Sequence, residues 1–295
     1  MKRIFLFILT NLAILLLLSI VAQVTGLDAW LAQQGGSLEG LLVFAALFGF
    51  GGSLISLAAS KWIAVRAMGV QIIRQPSSAD EQWLLQTVHS LADKAGVGMP
   101  EVGIFDSPQP NAFATGPRRD NALVAVSSGL LASMNRDQIE AVLGHELTHV
   151  ANGDMVTLTL IQGVVNTFVI FLARIIGNIV DRSMSRDSDG RGIAYFTSVM
   201  VSQLVLGILA SIIVMWFSRQ REFRADAGGA RLAGRERMIS ALERLKAAHD
   251  DPLPAQLNAF GIAGGEGDGL RRLFMSHPPI EERIAALRAA PANQA

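Results

Sequence analysis

The chain has 295 residues, of which 51% are hydrophobic and 17% charged, and its formal net charge is +0. Soluble domains carry about 25% charged residues, so part of this chain is built for lipid, and its neutral balance gives no footing for nucleic-acid binding. It has no cysteine, which removes disulfides, thiolate metal sites and cysteine nucleophiles together.

Met1-Lys2-Arg3 precedes an apolar run from Ile4 to Val24, broken only by Thr10, Asn11, Ser19 and Gln23. A signal peptide would have an apolar core of about 7–15 residues and a small-x-small cleavage site. This run is longer and no convincing site follows, which favours an uncleaved span. A polar stretch, Gly26 to Glu39, contains no Lys or Arg, and a second run follows from Leu41 to Ala59. Lys2, Arg3, Lys61, Arg66 and Arg74 all flank these runs on one side, so the positive-inside rule puts both ends of the hairpin in the cytoplasm. Trp30 and Trp62 fall where interfacial tryptophans belong. Gly49 to Ser53 permits a close helix crossing, although glycine is common in membrane helices regardless.

From Arg66 the composition turns soluble. Glu81 to Ala95 reads as a helix with Leu84, Leu85, Val88 and Leu91 on one face. Val102–Phe105 and Ala122–Val126 read as strands. Between them, Asn111-Ala112-Phe113-Ala114-Thr115-Gly116 is either a sheet edge that could hold an extended peptide by strand addition or a turn closed by Gly116-Pro117. Asn135 and Gln138 form the pattern of a capping box. They open a helix that leads into His145-Glu146-Leu147-Thr148-His149, with Asn152-Gly153 as its stop. Residues four apart share a helix face, so both imidazoles can reach one metal ion, with Glu146 beside them as general base. Two surface histidines on an amphipathic helix are the alternative.

Met155 to Val180 and Ile193 to Phe217 are two further apolar runs, the first interrupted by Gln162, Asn166, Arg174 and Asn178. They read as two spans or as a hairpin that dips into the membrane. The connecting segment carries Arg182, Arg186 and Arg191, which strains the positive-inside rule for full spans. Either way an even number of passes returns the chain to the side of His149. There Glu222 and Asp226, four apart, meet the need for a carboxylate third ligand and for an acid that orients a ligand imidazole. With Arg219, Arg221 and Arg224 interleaved, a solvated charge cluster is the other reading. Arg235 to Ala248 forms an amphipathic helix, Leu257 to Gly269 is glycine-rich, and Pro278-Pro279 open a last helix just after His277. His277 is a candidate donor to the transition-state oxyanion or merely a helix-start residue. Arg283 is placed to pair with Asp226.

Three segments, His145–Asp154, Asn111–Gly116 and Arg221–Ala230, resemble the HtpX family of bacterial membrane zinc metalloproteases, relatives of the CAAX prenyl proteases. The resemblance covers nearly the whole chain. It implies one zinc per subunit bound by His145, His149 and Glu222, with Glu146 as the base, and the family pattern also has a His-Pro at His277, in keeping with a catalytic His277; Asp226 is expected to support a ligand from its spacing to Glu222. On the edge reading of 111–116, substrate backbone would be held at Asn111, Ala112 and Phe113 as an added strand. The expected fold is a mostly α membrane protein: four hydrophobic helices plus a cytoplasmic α+β gluzincin-type metalloprotease domain with a small β-sheet. The expected divisions are 1–60 (first hairpin), 61–154 (first catalytic half), 155–217 (second hairpin) and 218–295 (second catalytic half). The implied setting is the bacterial inner membrane, with active site and both termini cytoplasmic. The expected partners are the lipid bilayer and protein or peptide substrates, chiefly damaged or misassembled membrane proteins. A processing protease for one membrane-anchored partner, or a metal-binding scaffold without activity, is the alternative; the presence of Glu146 argues against the scaffold.

Overall fold

The structure is a computed structural model that describes residues 37–184, 193–250 and 275–291. The first expected span, Ile4–Val24, lies outside the described residues, as does the glycine-rich stretch 257–269. Within them, three helices are long and apolar enough to cross a membrane: α1 (Leu38–Met68), α5 (Asp154–Met184) and α6 (Ile193–Ala233). The chain divides into two compact units, the described parts of Met1–Ser56 with Leu158–Val214, and of Leu57–Thr157 with Met215–Ala295.

In the first unit, α1 and α5 cross at glycines. A Cβ on Gly49 would lie 2.5 Å from the Thr167 hydroxyl, and one on Gly163 would lie 2.6 Å from the Phe50 ring. Gly51 and Gly52 face open space, so of the three glycines in the 49–53 stretch only Gly49 serves the crossing. Polar groups beside the crossing satisfy each other, since nothing else in hydrocarbon can. Gln162 donates to Asn166, and Ser53 and Thr167 each donate to the carbonyl four residues back.

The second unit holds a four-stranded sheet in the order β1-β2-β4-β3, from β1 (Gln71–Ile72), β2 (Glu101–Phe105), β3 (Ala112–Arg118) and β4 (Asn121–Ser127). The two strands expected from sequence are parallel neighbours, and the segment between them is itself the edge strand, antiparallel to β4. Gly116 and Pro117 concealed that strand. Both fit it because β3 is an edge with a register shift between Thr115 and Arg118, where proline is tolerated. Gly116 has φ +145, and a Cβ there would lie 2.4 Å from the Asn121 carbonyl oxygen.

Helices α2 (Ala79–Ala95), α3 (Ser128–Ser133), α4 (Arg136–Asn152), α7 (Arg235–Asp250) and α8 (Ile280–Ala289) complete this unit. Leu84, Val88 and Leu91 of α2, Val124 and Val126 of β4, and Leu143 and Leu147 of α4 form one core. Each such side chain contributes about 1.5–3 kcal/mol on burial. The start and end of α4 are fixed as the sequence predicts. Asn135 accepts from the Gln138 amide while the Gln138 side chain accepts from the Asn135 amide, and Gly153 stops the helix at φ 65.

Candidate metal centre

Helix α4 is buried on nearly all sides at its C-terminal half, so His145 and His149 project from a rigid, packed rod. Glu222 and Asp226 sit on α6, and the two helices meet through glycine. A Cβ on Gly229 would lie 3.0 Å from the His145 amide nitrogen; one on Gly228 would lie 2.2 Å from Cγ2 and 2.8 Å from Cβ of Thr148. Only a bare backbone allows α6 to come this near, and the approach brings Glu222 to the imidazoles.

The donor atoms converge. His145 Nε2 and His149 Nε2 are 3.2 Å apart. Glu222 reaches each of them, Oε2 to His145 at 3.5 Å and Oε1 to His149 at 3.3 Å. A tetrahedral centre with bonds of about 2.0–2.1 Å requires donors about 3.3–3.4 Å apart. The three residues therefore fit a metal ion bound by two imidazoles and a carboxylate.

The outer nitrogens are held by acids. Asp154 accepts from His149 Nδ1 at 2.7 Å. Asp226 lies 2.9 Å from His145 Nδ1, an ionic contact out of line for a directional hydrogen bond. A proton kept at each Nδ1 leaves both Nε2 lone pairs for a metal. Arg283 in turn donates twice to Asp226, at 2.8 and 2.6 Å. Asp154 is a partner that the sequence reading missed; the signal was an acid directly after the Gly153 stop.

Burial disfavours charge on these groups, and the contacts overrule it. Against desolvation, Asp154 and Glu222 raise the pKa of His149 to about 9, and Asp226 and Glu222 raise that of His145. Glu222 resists burial likewise: hydrogen bonds from His145, His149 and His277 hold its carboxyl far below the usual range. Asp226 is held low by Arg283 and His145 despite its burial.

Glu146 is half-buried and borders a cavity of about 690 Å³, together with His145, Glu222 and His277. Its carboxylate has no hydrogen bond or ion pair among the described residues. His277 directs Nδ1 to Glu222 Oε2 at 2.7 Å, with a side chain 61% exposed. Asn111 and Ala112 border the same cavity. Phe113 does not; it packs against Phe105, with ring centroids 5.6 Å apart, on the opposite sheet face. Alternation on β3 turns its side chain to the face opposite that of Ala112. Asn111 accepts from the Ser127 amide, so by the same alternation the amides and carbonyls of Ala112 and Ala114 face the free edge.

Residues 78–290 match the model of peptidase family M48. The chain is 64% identical to the Protease HtpX homolog of Thiobacillus denitrificans, over 98% of this chain and 99% of that one. It is also 64% identical to Protease HtpX of Thioalkalivibrio sulfidiphilus, with the same two coverages. The crystal structure of S. mikatae Ste24p shares the fold at a TM-score of 0.55 and 20% identity, over 93% of this chain and 67% of that one.

Proposed function

Because the chain belongs to peptidase family M48, we propose that this multi-pass membrane metalloendopeptidase is a zinc enzyme that removes damaged or misassembled membrane proteins. We place it in the bacterial inner membrane with its site on the cytoplasmic side, a reading supported by the Lys and Arg residues that flank the apolar runs. The observation that carries the enzymatic reading is the convergence of two imidazoles and one carboxylate: His145 Nε2 and His149 Nε2 are 3.2 Å apart, Glu222 Oε1 is 3.3 Å from the latter, and Glu222 Oε2 is 3.5 Å from the former. Two histidine nitrogens and a carboxylate are a zinc donor set, and three protein ligands leave a position for chemistry.

Bound zinc supplies Lewis acidity and lowers the pKa of the attacking water towards about 7. The remaining work falls to the chain. The Glu146 carboxylate takes a proton from the water and delivers it to the leaving amine nitrogen as the C–N bond breaks. We assign His277 as hydrogen-bond donor to the oxyanion; its Nδ1, which points at Glu222 in the structure, turns to the substrate for this role, a movement open to an exposed imidazole at the cavity wall. The outward backbone groups of Ala112 and Ala114 hold the substrate as an added strand. Such contacts are to backbone alone, so they suit an enzyme that meets many sequences. Asp154, Asp226 and Arg283 act on the ligands, holding each imidazole in one orientation.

The test is cleavage of casein by the purified full chain in detergent with zinc. Cleavage should stop with a chelator. Glu146→Gln should retain zinc while hydrolysis falls by about 10²–10⁴-fold, the usual worth of a general base. An active, zinc-loaded Glu146→Gln protein would remove the base assignment. Comparing membrane proteomes of cells with active and Glu146→Gln forms tests the substrate class: many accumulating membrane proteins support disposal, and a single one supports dedicated processing.

A further inference from the structure

Arg174 is an ionisable residue inside an apolar helix, and the catalytic centre makes no use of it. Intramembrane charge calls for a partner. The partners here are neutral. The guanidinium carbon stands 4.0 Å over the Phe44 ring of α1. Nη1 donates to the Tyr195 hydroxyl of α6 at 3.5 Å. Nε is buried and makes no hydrogen bond. Among the described residues no carboxylate pairs with Arg174. The pocket is nonetheless built: three helices contribute to it, Tyr195 is buried, and Gly177 lets α6 close in, since a Cβ there would lie 3.2 Å from the Tyr195 ring.

Depth supplies the missing anion. Arg174 bonds Tyr195, the third residue of α6, so the guanidinium lies level with the start of that apolar helix rather than with its middle. Helix α6 supplies the scale. Tyr195 and Trp216 are twenty-one residues apart, about 32 Å, the separation of two aromatic belts. The anion abundant at that level is the phosphodiester of a phospholipid. A ring beneath a guanidinium occupies its face and leaves its edge for a phosphate. Asn178, one turn further out and half-buried, has no hydrogen-bond partner among the described residues, and its amide can add a second donor.

We propose that Arg174, backed by Phe44 and joined by Asn178, binds the phosphate of one phospholipid in the leaflet reached by the Met184 end of α5. The lipid completes the charge balance of this helix junction and serves as a resident ligand.

The experiment uses the full chain carrying Glu146→Gln to prevent self-digestion. Native mass spectrometry from dodecyl maltoside should show one phospholipid retained per chain, lost in Arg174→Gln. Delipidated protein titrated with phosphatidylglycerol in micelles should gain thermal stability. Arg174→Gln should weaken that response by about tenfold or more, the size of one lost charge-assisted contact. Asn178→Ala, which leaves the aromatic stack and the fold in place, should weaken it by a few fold. Inorganic phosphate at millimolar concentration should have no effect. Equal lipid retention and equal response in the wild type and both variants would overturn the proposal, and so would protection by inorganic phosphate as strong as by the lipid.

Discussion

Gly228→Ala tests whether helix approach sets the metal geometry. The added methyl would lie 2.2 Å from Cγ2, 2.4 Å from Oγ1 and 2.8 Å from Cβ of Thr148. Ordinary contact begins near 3.4 Å, so α4 and α6 must part by about 1 Å. Rotating Thr148 offers no escape: its hydroxyl donates to the Gly144 carbonyl at 2.8 Å, and its Cβ does not move with χ1. Overpacking of this kind costs about 1–3 kcal/mol. The larger effect falls on the ligands. Thr148 adjoins His149, Gly228 is two residues from Asp226, and metal–ligand distances tolerate only about 0.2 Å. Zinc affinity should fall by about 10–100-fold, the range for disturbed ligand support. Competition against a chromophoric chelator reads that affinity directly. Gly228→Ala combined with Thr148→Gly removes all three clashing atoms and should recover most of the affinity, whatever it does to helix stability. Wild-type affinity in the single variant, or no recovery in the double one, would refute the reasoning.

Glu222→Ala removes the one carboxylate among the described residues that reaches both Nε2 atoms, so metal analysis of the purified protein should show zinc lost; wild-type content would assign the third ligand elsewhere. Asp154→Ala frees His149 Nδ1, and chelator competition should report zinc bound about 10–100-fold more weakly. Arg283→Ala leaves buried Asp226 with His145 as its remaining partner; breaking a buried pair costs up to about 3–5 kcal/mol, read as a lower unfolding midpoint that Asp226→Asn in the same chain partly restores. The metal-free protein should also lose stability with rising pH. The folded pKa of His149 is about 9 against 6.5 in the unfolded chain. Its contribution is therefore complete below pH 6.5 and gone above about pH 9. Thermal unfolding in chelator should follow that decline; a midpoint that rises over the same window would contradict it.

The legible parts of this molecule were those written in local code. Asn135, Gln138 and Gly153 mark both ends of α4 because caps act within one helical turn. The pairing of His145 with His149 follows from helix pitch alone. The expectation for 111–116 divided between edge and turn because strand identity depends on neighbours. Gly116 and Pro117 look like breakers until β4 lies alongside. Arg174 was visible as an irregularity in an apolar run, but its aromatic partner is 130 residues away in the chain. Gly228 and Gly229 carried no signal at all, since the need for a missing side chain exists only where two backbones meet.

The centre is also an ion exchanger. Three buried acids, Asp154, Glu222 and Asp226, and the half-buried Glu146 gather at the two imidazoles, with Arg283 paired to Asp226, which leaves an excess of negative charge. Protons on the imidazoles offset part of that excess, and a divalent cation would offset it in the same way. A metal-free chain can thus close its interior with hydrogen ions as placeholders that a bound cation would displace.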